Sequence, residues 1–215
     1  MIQTKHRQTF DKYLTEREEK KLLAHLKNIA DIHTQRDYWL AIFMRQTGVR
    51  VSVICGKKKT ATQSKTLGLT VGEAKKAIAS NFLELRGDVV KGGDALKIYA
   101  NKKSREALNE LLKIRKKMGH APKDDGALVL SKKGGNISAR NLQERFNDHG
   151  LAAVGFAISP HWFRHTMAKR IMKNSTADDK LGIAQVQLGH SSREATAIYT
   201  MPDKEDLMNA MEEQS

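Results

Sequence analysis

The chain has 215 residues, with 38 Lys and Arg against 24 Asp and Glu for a formal charge of +14, eight His and a lone cysteine. This length makes one substantial domain or two small ones. A hydrophobic share of 40% excludes a disordered chain, and the lone Cys55 excludes a disulfide framework or a cysteine-built zinc site. No apolar run approaches the roughly 18 residues of a membrane span, and the first 21 residues lack a signal-type hydrophobic segment. The expectation is a cytoplasmic protein whose positive field needs a polyanion. Nucleic acid is the usual one, and an anionic membrane is the competitor. A membrane binder would show a basic amphipathic segment or a lipidation signal, and neither is evident.

Residues 1–10 read as a flexible polar tail. Thr15 and Glu18 form a capping-box pattern that opens a helix carrying Leu22, Leu23, Leu26 and Ile29. A second helix is predicted from Gln35 to Gln46, closed by Gly48 as a left-handed cap. Val49 to Ile54 is apolar, followed by Lys57-Lys58-Lys59 and a polar, basic loop over 60–66. Phe82, Leu83 and Leu85, then Leu96, Ile98 and Tyr99, flank Val89-Val90-Lys91-Gly92-Gly93 and predict an antiparallel hairpin turning at Gly-Gly. Ser104 is expected to open a helix through Leu108, Leu111, Leu112 and Ile114. Lys132-Lys133-Gly134-Gly135 reads as a basic turn, and Ser138 caps a helix holding Leu142 and Phe146. No repeat or linker divides the chain. The fold class is mostly α with a small antiparallel β-sheet (α+β), over residues 11–202, with a tail helix over 203–215.

The last third carries the chemistry. Ser159 as N-cap and Pro160 at the first helical position start a helix at His161-Trp162-Phe163-Arg164-His165-Thr166. His161 and Arg164 then share one face of a turn whose free N–H groups and dipole favour an anion. Arg offers a fork of donors to a phosphate, and His a further donor or a proton shuttle. The bland alternative is a capped helix with surface charges. Asp178 or Asp179 opens another helix, Gly189 caps it and fixes His190 at its exit, and Ser191 with Glu194 begins a short helix reaching Tyr199. Taken singly, Tyr199 is as readily a core tyrosine and His190 a turn residue.

Together, His161-Trp162-Phe163-Arg164-His165-Thr166, Leu188-Gly189-His190-Ser191-Ser192 and Ile198-Tyr199-Thr200 resemble the catalytic signature of the tyrosine recombinases, the phage integrase family, in order and in spacing. Gln46-Thr47-Gly48-Val49-Arg50-Val51-Ser52 resembles the segment of that family's first catalytic Arg. Lys91 sits where the family places its β-turn Lys, with Lys97 on the following strand as a rival. The resemblance runs from about residue 8 to 205. It implies a catalytic set of Tyr199, Arg50, Arg164, His161, His190 and Lys91, supported by His165, with Trp162 and Phe163 in the core. Tyr199 would attack a DNA phosphate to form a 3′-phosphotyrosyl link, the two Arg would clamp the non-bridging oxygens, and Lys91 would protonate the leaving 5′ oxygen. Cofactors are none: the cations supply the charge without a metal, and the covalent link conserves the bond without ATP.

The chain departs from the family pattern in three respects. Position 53 is Val, where the family commonly has an acidic residue. The stretch Cys55 to Ile78 differs from the usual short link and reads as an added DNA-facing loop or a solvated one. A helical core-binding domain of roughly 100 residues commonly precedes the catalytic part and is absent here, as in short recombinases that invert promoter segments or in a piece of a longer protein. Lys57, Lys58, Lys59, Lys102, Lys103, Lys132, Lys133 and Arg140 are candidates for DNA-backbone contact. The expected partner is a double-stranded recombination site, bound by a homotetramer on paired sites that is monomeric in free solution, with an accessory DNA-bending or core-binding protein. The tail, with Leu207, Met208 and Met211 at helical spacing, would dock on a neighbouring subunit or on its own domain. An integrase-fold accessory that binds without cleaving, and a type IB topoisomerase-like enzyme, are the alternatives.

Overall fold

In the computed structural model, which describes residues 12–57, 66–121, 123–202, 206 and 210–213, the first capping box forms as read. Glu18 N–H donates to Thr15 Oγ1 at 3.3 Å and Thr15 N–H to the Glu18 carboxylate at 2.9 Å, starting α1 (Glu16–Asn28). The second helix, α2 (Ile32–Thr47), starts earlier than Gln35 because Asp31 is its cap, accepting from Thr34 N–H at 2.8 Å. It ends at Gly48 with φ 68°, and α3 (Val51–Cys55) follows with Arg50 as N-cap. A fourth helix, α4 (Val71–Ser80), occupies part of the stretch read as loop. Thr70 and Glu73 form a second capping box there, and Val71, Ala74 and Ala77 are buried.

Strands β1 (Phe82–Leu85) and β2 (Leu96–Tyr99) pair antiparallel, Phe82 opposite Tyr99 and Leu85 opposite Leu96. The hairpin does not turn tightly at Gly-Gly. Residues 86–95 form a longer loop in which Val89 and Val90 bury their side chains instead of extending a strand. Next, α5 (Lys102–Lys117) is capped by Asn101, which accepts from Ser104 N–H at 2.9 Å, so Ser104 lies within the helix and does not open it. The helices α6 (Ala139–Val154), α7 (Pro160–Asn174) and α8 (Lys180–Leu188) begin at Ser138, Ser159 and Asp179. The short α9 (Glu194–Ala197) has no side-chain cap, and Ser192, not Ser191, accepts from Ala195 N–H at 3.3 Å.

The main core joins α1 to α6, the start of α7 and the sheet around Leu22, Phe43, Ile54, Leu83, Phe146 and Phe163. A smaller cluster, Met167, Ala168, Leu188 and Tyr199, lies along the second half of α7. No helix among the described residues is long and apolar enough to cross a membrane.

Two ionic knots cross the core. Glu19 on α1 lies between Arg45 of α2, 2.6 Å away, and Arg170 of α7. Burial pushes its carboxyl up, against the pull of both cations. Asp37 is wholly buried, 2.7 Å from Arg36 and paired with Arg145 of α6, while the Arg36 guanidinium also donates to the Leu130 carbonyl at 2.5 Å. Burial pushes the Asp37 carboxyl up, but the hydrogen bond with His149 and the Arg36 and Arg145 charges outweigh it and hold the group below the usual carboxylate range. Removing one partner of a buried pair strands the others. Asp37→Ala is therefore expected to lose about 3–5 kcal/mol, read as a lowered urea midpoint at pH 7.

Candidate active site

At the start of α7, His161 N–H donates to Ser159 Oγ at 3.1 Å, which fixes the first turn, and Arg164 follows three residues on. The Arg164 side chain is 3% exposed and reaches two carbonyls, donating from Nη1 to Gly48 and from Nη2 to Leu188, each at 2.7 Å. These carbonyls belong to the ends of α2 and α8, the turns that lead into Arg50 and His190. Both turns need glycine. Gly48 and Gly189 have φ values of 68° and 61°, and a Cβ there would lie 2.3 Å from Met167 Cε and from Leu96 Cδ2 respectively. A side chain at either left-handed position would be strained and would have to push aside the tip of Met167 or Leu96.

The other predicted residues gather around this guanidinium. Tyr199, 5% exposed, packs on Leu188 and Met167 just after α9. Its ring lies 5.4 Å from the His165 ring and parallel to the His190 ring at 6.4 Å. Exposed His161 stacks edge-on with His165 at 4.5 Å. His190 Nδ1 lies 2.8 Å from the Oγ1 of buried Thr196, which leaves Nε2 for the site. Exposed Lys91, in the 86–95 loop, is close enough for its charge to act on His190. The rival Lys97 points elsewhere: it sits 3.2 Å from Glu84 across the strand pair and over the Phe82 ring.

The electrostatics follow from burial of several cations together. Desolvation pulls Arg164 down to about 9, Arg50 adds to this, and Tyr199 opposes it, so the group stays cationic at neutral pH. Arg50 is lowered by desolvation, with Tyr199 again opposing. His190 falls to about 4 through desolvation, then through the Arg164, Arg50, His161 and Lys91 charges. His165 falls to about 4 for similar reasons, and His161 is lowered by desolvation, Arg164 and Arg50. Desolvation raises the Tyr199 phenol, while Arg164 and Arg50 pull it back down. The result is a neutral phenol held among neutral imidazoles, beside two guanidinium groups whose charge suits a phosphate.

Val53, the missing acidic position, is 2% exposed and packs into the main core, with its carbonyl accepting from Leu69 N–H at 2.6 Å. Of the backbone-contact candidates, Lys102 and Lys103 are exposed at the start of α5, and Lys132 and Lys133 are exposed on their turn. Arg140 is 2.8 Å from Glu144 on its own helix. Lys57 donates its ammonium to the Val90 carbonyl, while Lys58 and Lys59 lie outside the described residues. Sequence reasoning missed Gln187. Its amide pairs with both backbone groups of Tyr99, at 3.1 Å and 3.0 Å, and donates to the Thr47 carbonyl at 3.3 Å. It thereby ties α8, β2 and the end of α2 together. The one available signal was a polar residue held between the apolar Val186 and Leu188 at the helix end.

A model of the phage integrase family matches residues 12–206. Over 205 residues, 93% of the chain and 50% of the relative, the sequence is 30% identical to the tyrosine recombinase XerC of Caldanaerobacter subterraneus subsp. tengcongensis. It is 33% identical over 129 residues to XerC of Pseudomonas entomophila, covering 58% of the chain and 41% of the relative. The chain thus spans about half or less of these curated relatives. Its fold is similar to that of the XerA recombinase, with TM-score 0.66 and 22% identity over 94% of the chain and 65% of that structure. It is also similar to XerH bound to its difH substrate, with TM-score 0.63 and 21% identity over 95% of the chain and 55% of that structure.

Two outcomes are expected. The unfolded chain protonates His165 and His190 near the ordinary 6.5, whereas the folded protein resists until about 4. Stability is full above about pH 6.5 and falls as pH drops toward 4, and His165→Asn should flatten that fall in urea midpoints measured at pH 7 and pH 5. Gln187→Leu keeps the bulk and loses three hydrogen bonds. It should cost about 1–3 kcal/mol, measured by urea unfolding.

Proposed function

Because the chain belongs to the phage integrase family and carries the catalytic domain of a tyrosine recombinase, we propose that it is a site-specific recombinase that cuts and rejoins duplex DNA through a 3′-phosphotyrosyl intermediate. The observation that supports this reading is the grouping of Arg164 and Arg50 with the Tyr199 phenol, with the His190 ring stacked beside it and the His161 and Lys91 charges acting on His190. Arg50 and Arg164 take the non-bridging oxygens of the scissile phosphate, where charge builds up in the transition state. His161, at the mouth of the site, adds a donor. As Tyr199 Oη bonds to phosphorus, its proton passes to a neutral imidazole, that of His190 or His161. The bond from phosphorus to the 5′ oxygen breaks, and Lys91 protonates that oxygen. Reversal of the step with a different 5′ hydroxyl completes strand exchange.

The charge of +14 binds the duplex backbone, with Lys102, Lys103, Lys132 and Lys133 among its contacts, and makes binding fall steeply with salt. Assembly on two paired sites is a homotetramer. A groove of about 1150 Å³ beside His190 supports it, with exposed Ile183, Val186 and Tyr99 on its walls. The proposed occupant of that apolar lining is the tail of a neighbouring copy, of which Leu207 and Met208 lie outside the described residues. Binding without cleavage is the second reading, and it rests on Val53, which offers Arg50 no carboxylate.

A cognate duplex selected from a random DNA pool and nicked near the cut should be captured covalently by the protein. Tyr199→Phe is expected to abolish the adduct, and Arg50→Ala to reduce it by roughly 10²–10³-fold, with binding largely kept in both. An adduct formed normally by Tyr199→Phe overturns the reading, and tight specific binding with no adduct at all favours the second.

A further inference from the structure

The loop that carries Lys91 is held by two side chains from the neighbourhood of Arg50. Ser52 Oγ, on α3, donates to the Val89 carbonyl at 3.0 Å, and Lys57 Nζ donates to the next carbonyl, that of Val90. The loop's own turns bond Val89 N–H to the Arg86 carbonyl at 3.1 Å and Val90 N–H to the Gly87 carbonyl at 3.2 Å, and both valine side chains are buried. Gly92 and Gly93 follow with φ values of 108° and 96°, and Gly93 N–H closes the turn on the Val90 carbonyl at 3.4 Å. Lys91 therefore lies directly after the two anchored carbonyls, inside a turn whose position they set.

We infer that Ser52 and Lys57 are positioning residues, which set where the Lys91 ammonium meets the leaving oxygen. The inference rests on Lys91 being the proton donor. Arg50 caps the same short helix that carries Ser52, so one element places both the oxyanion clamp and the anchor of the acid. The ordinary cut forms the bond from Tyr199 Oη to phosphorus, breaks the bond to O5′ and moves a proton from Lys91 to O5′. With sulfur in place of that bridging oxygen, a thiolate departs without needing the proton, so a misplaced acid no longer matters.

The test measures adduct formation on the nicked cognate duplex with bridging oxygen or bridging sulfur, for Ser52→Ala, Lys57→Met, Lys57→Arg and Lys91→Ala. On oxygen, Ser52→Ala and Lys57→Met should slow by roughly 10–100-fold, the scale of a small misplacement. Lys91→Ala should lose roughly 10²–10⁴-fold, while Lys57→Arg keeps most activity. On sulfur all should approach the unsubstituted rate, with DNA affinity unchanged. If sulfur rescues Lys91→Ala but not Ser52→Ala and Lys57→Met, the positioning role is overturned. Weakened DNA binding by Lys57→Met without rescue overturns it in favour of a phosphate contact. A Lys91→Ala protein that stays slow on sulfur removes the acid assignment, and this inference with it.

Discussion

Arg164 does two jobs with one buried guanidinium. Two of its N–H groups go to the carbonyls of Gly48 and Leu188, and these bonds draw the ends of two distant helices to the start of a third. Hydrogen bonds from a charged donor to carbonyls in a water-poor setting are strong and directional. Burying the charge is costly unless it is satisfied. The fold meets that demand with neutral backbone oxygens, which satisfy the guanidinium without cancelling its charge. Arg50 and His190 follow the two clamped turns, so the position of the site depends on this contact.

The remaining architecture protects that geometry. Glycine at 48 and 189 lets the turns close on Met167 and Leu96. Gln187 acts as a one-residue strand along Tyr99, linking the sheet to α8. The Glu19 and Asp37 knots fasten α1, α2, α6 and α7 to one another. Buried ion pairs of this kind contribute little net stability but penalise any arrangement that separates them. Here they brace the packing of the helices that carry the site, with Arg45 and Arg170 lining the groove beside His190.

Much of this was legible before the structure, and the parts that were not have physical reasons. Capping residues with short polar side chains mark helix starts locally, so Thr15, Ser138, Ser159 and Asp179 were readable. Asn101 was passed over for Ser104 because both are capping types, and only the bond direction separates them. The α4 helix was hidden because Ala74 and Ala77 make a thin apolar stripe among lysines, although Thr70 and Glu73 carried the signal. The Gly-Gly turn misled because Val89 and Val90 look like strand residues, while their burial beneath the loop is a tertiary effect. In the site, the residue types and their spacing were local information. What Gln187, Ser52 and Lys57 bond to was not, since all three act on backbone carbonyls that carry no sequence identity.

The smaller apolar cluster around Tyr199 is separate from the main core. Met167, Ala168, Leu188 and Tyr199 form a satellite, and its few contacts put it at the cheap end of the molecule's local opening free energies. In hydrogen exchange, amides around α8 and α9 would become labile while those of α2 and α5 stayed protected. The Tyr199 phenol is thus mounted on a part of the protein that is inexpensive to melt. A partner could draw the tyrosine out by offering its own surface in exchange, with little strain passed to the rest of the scaffold.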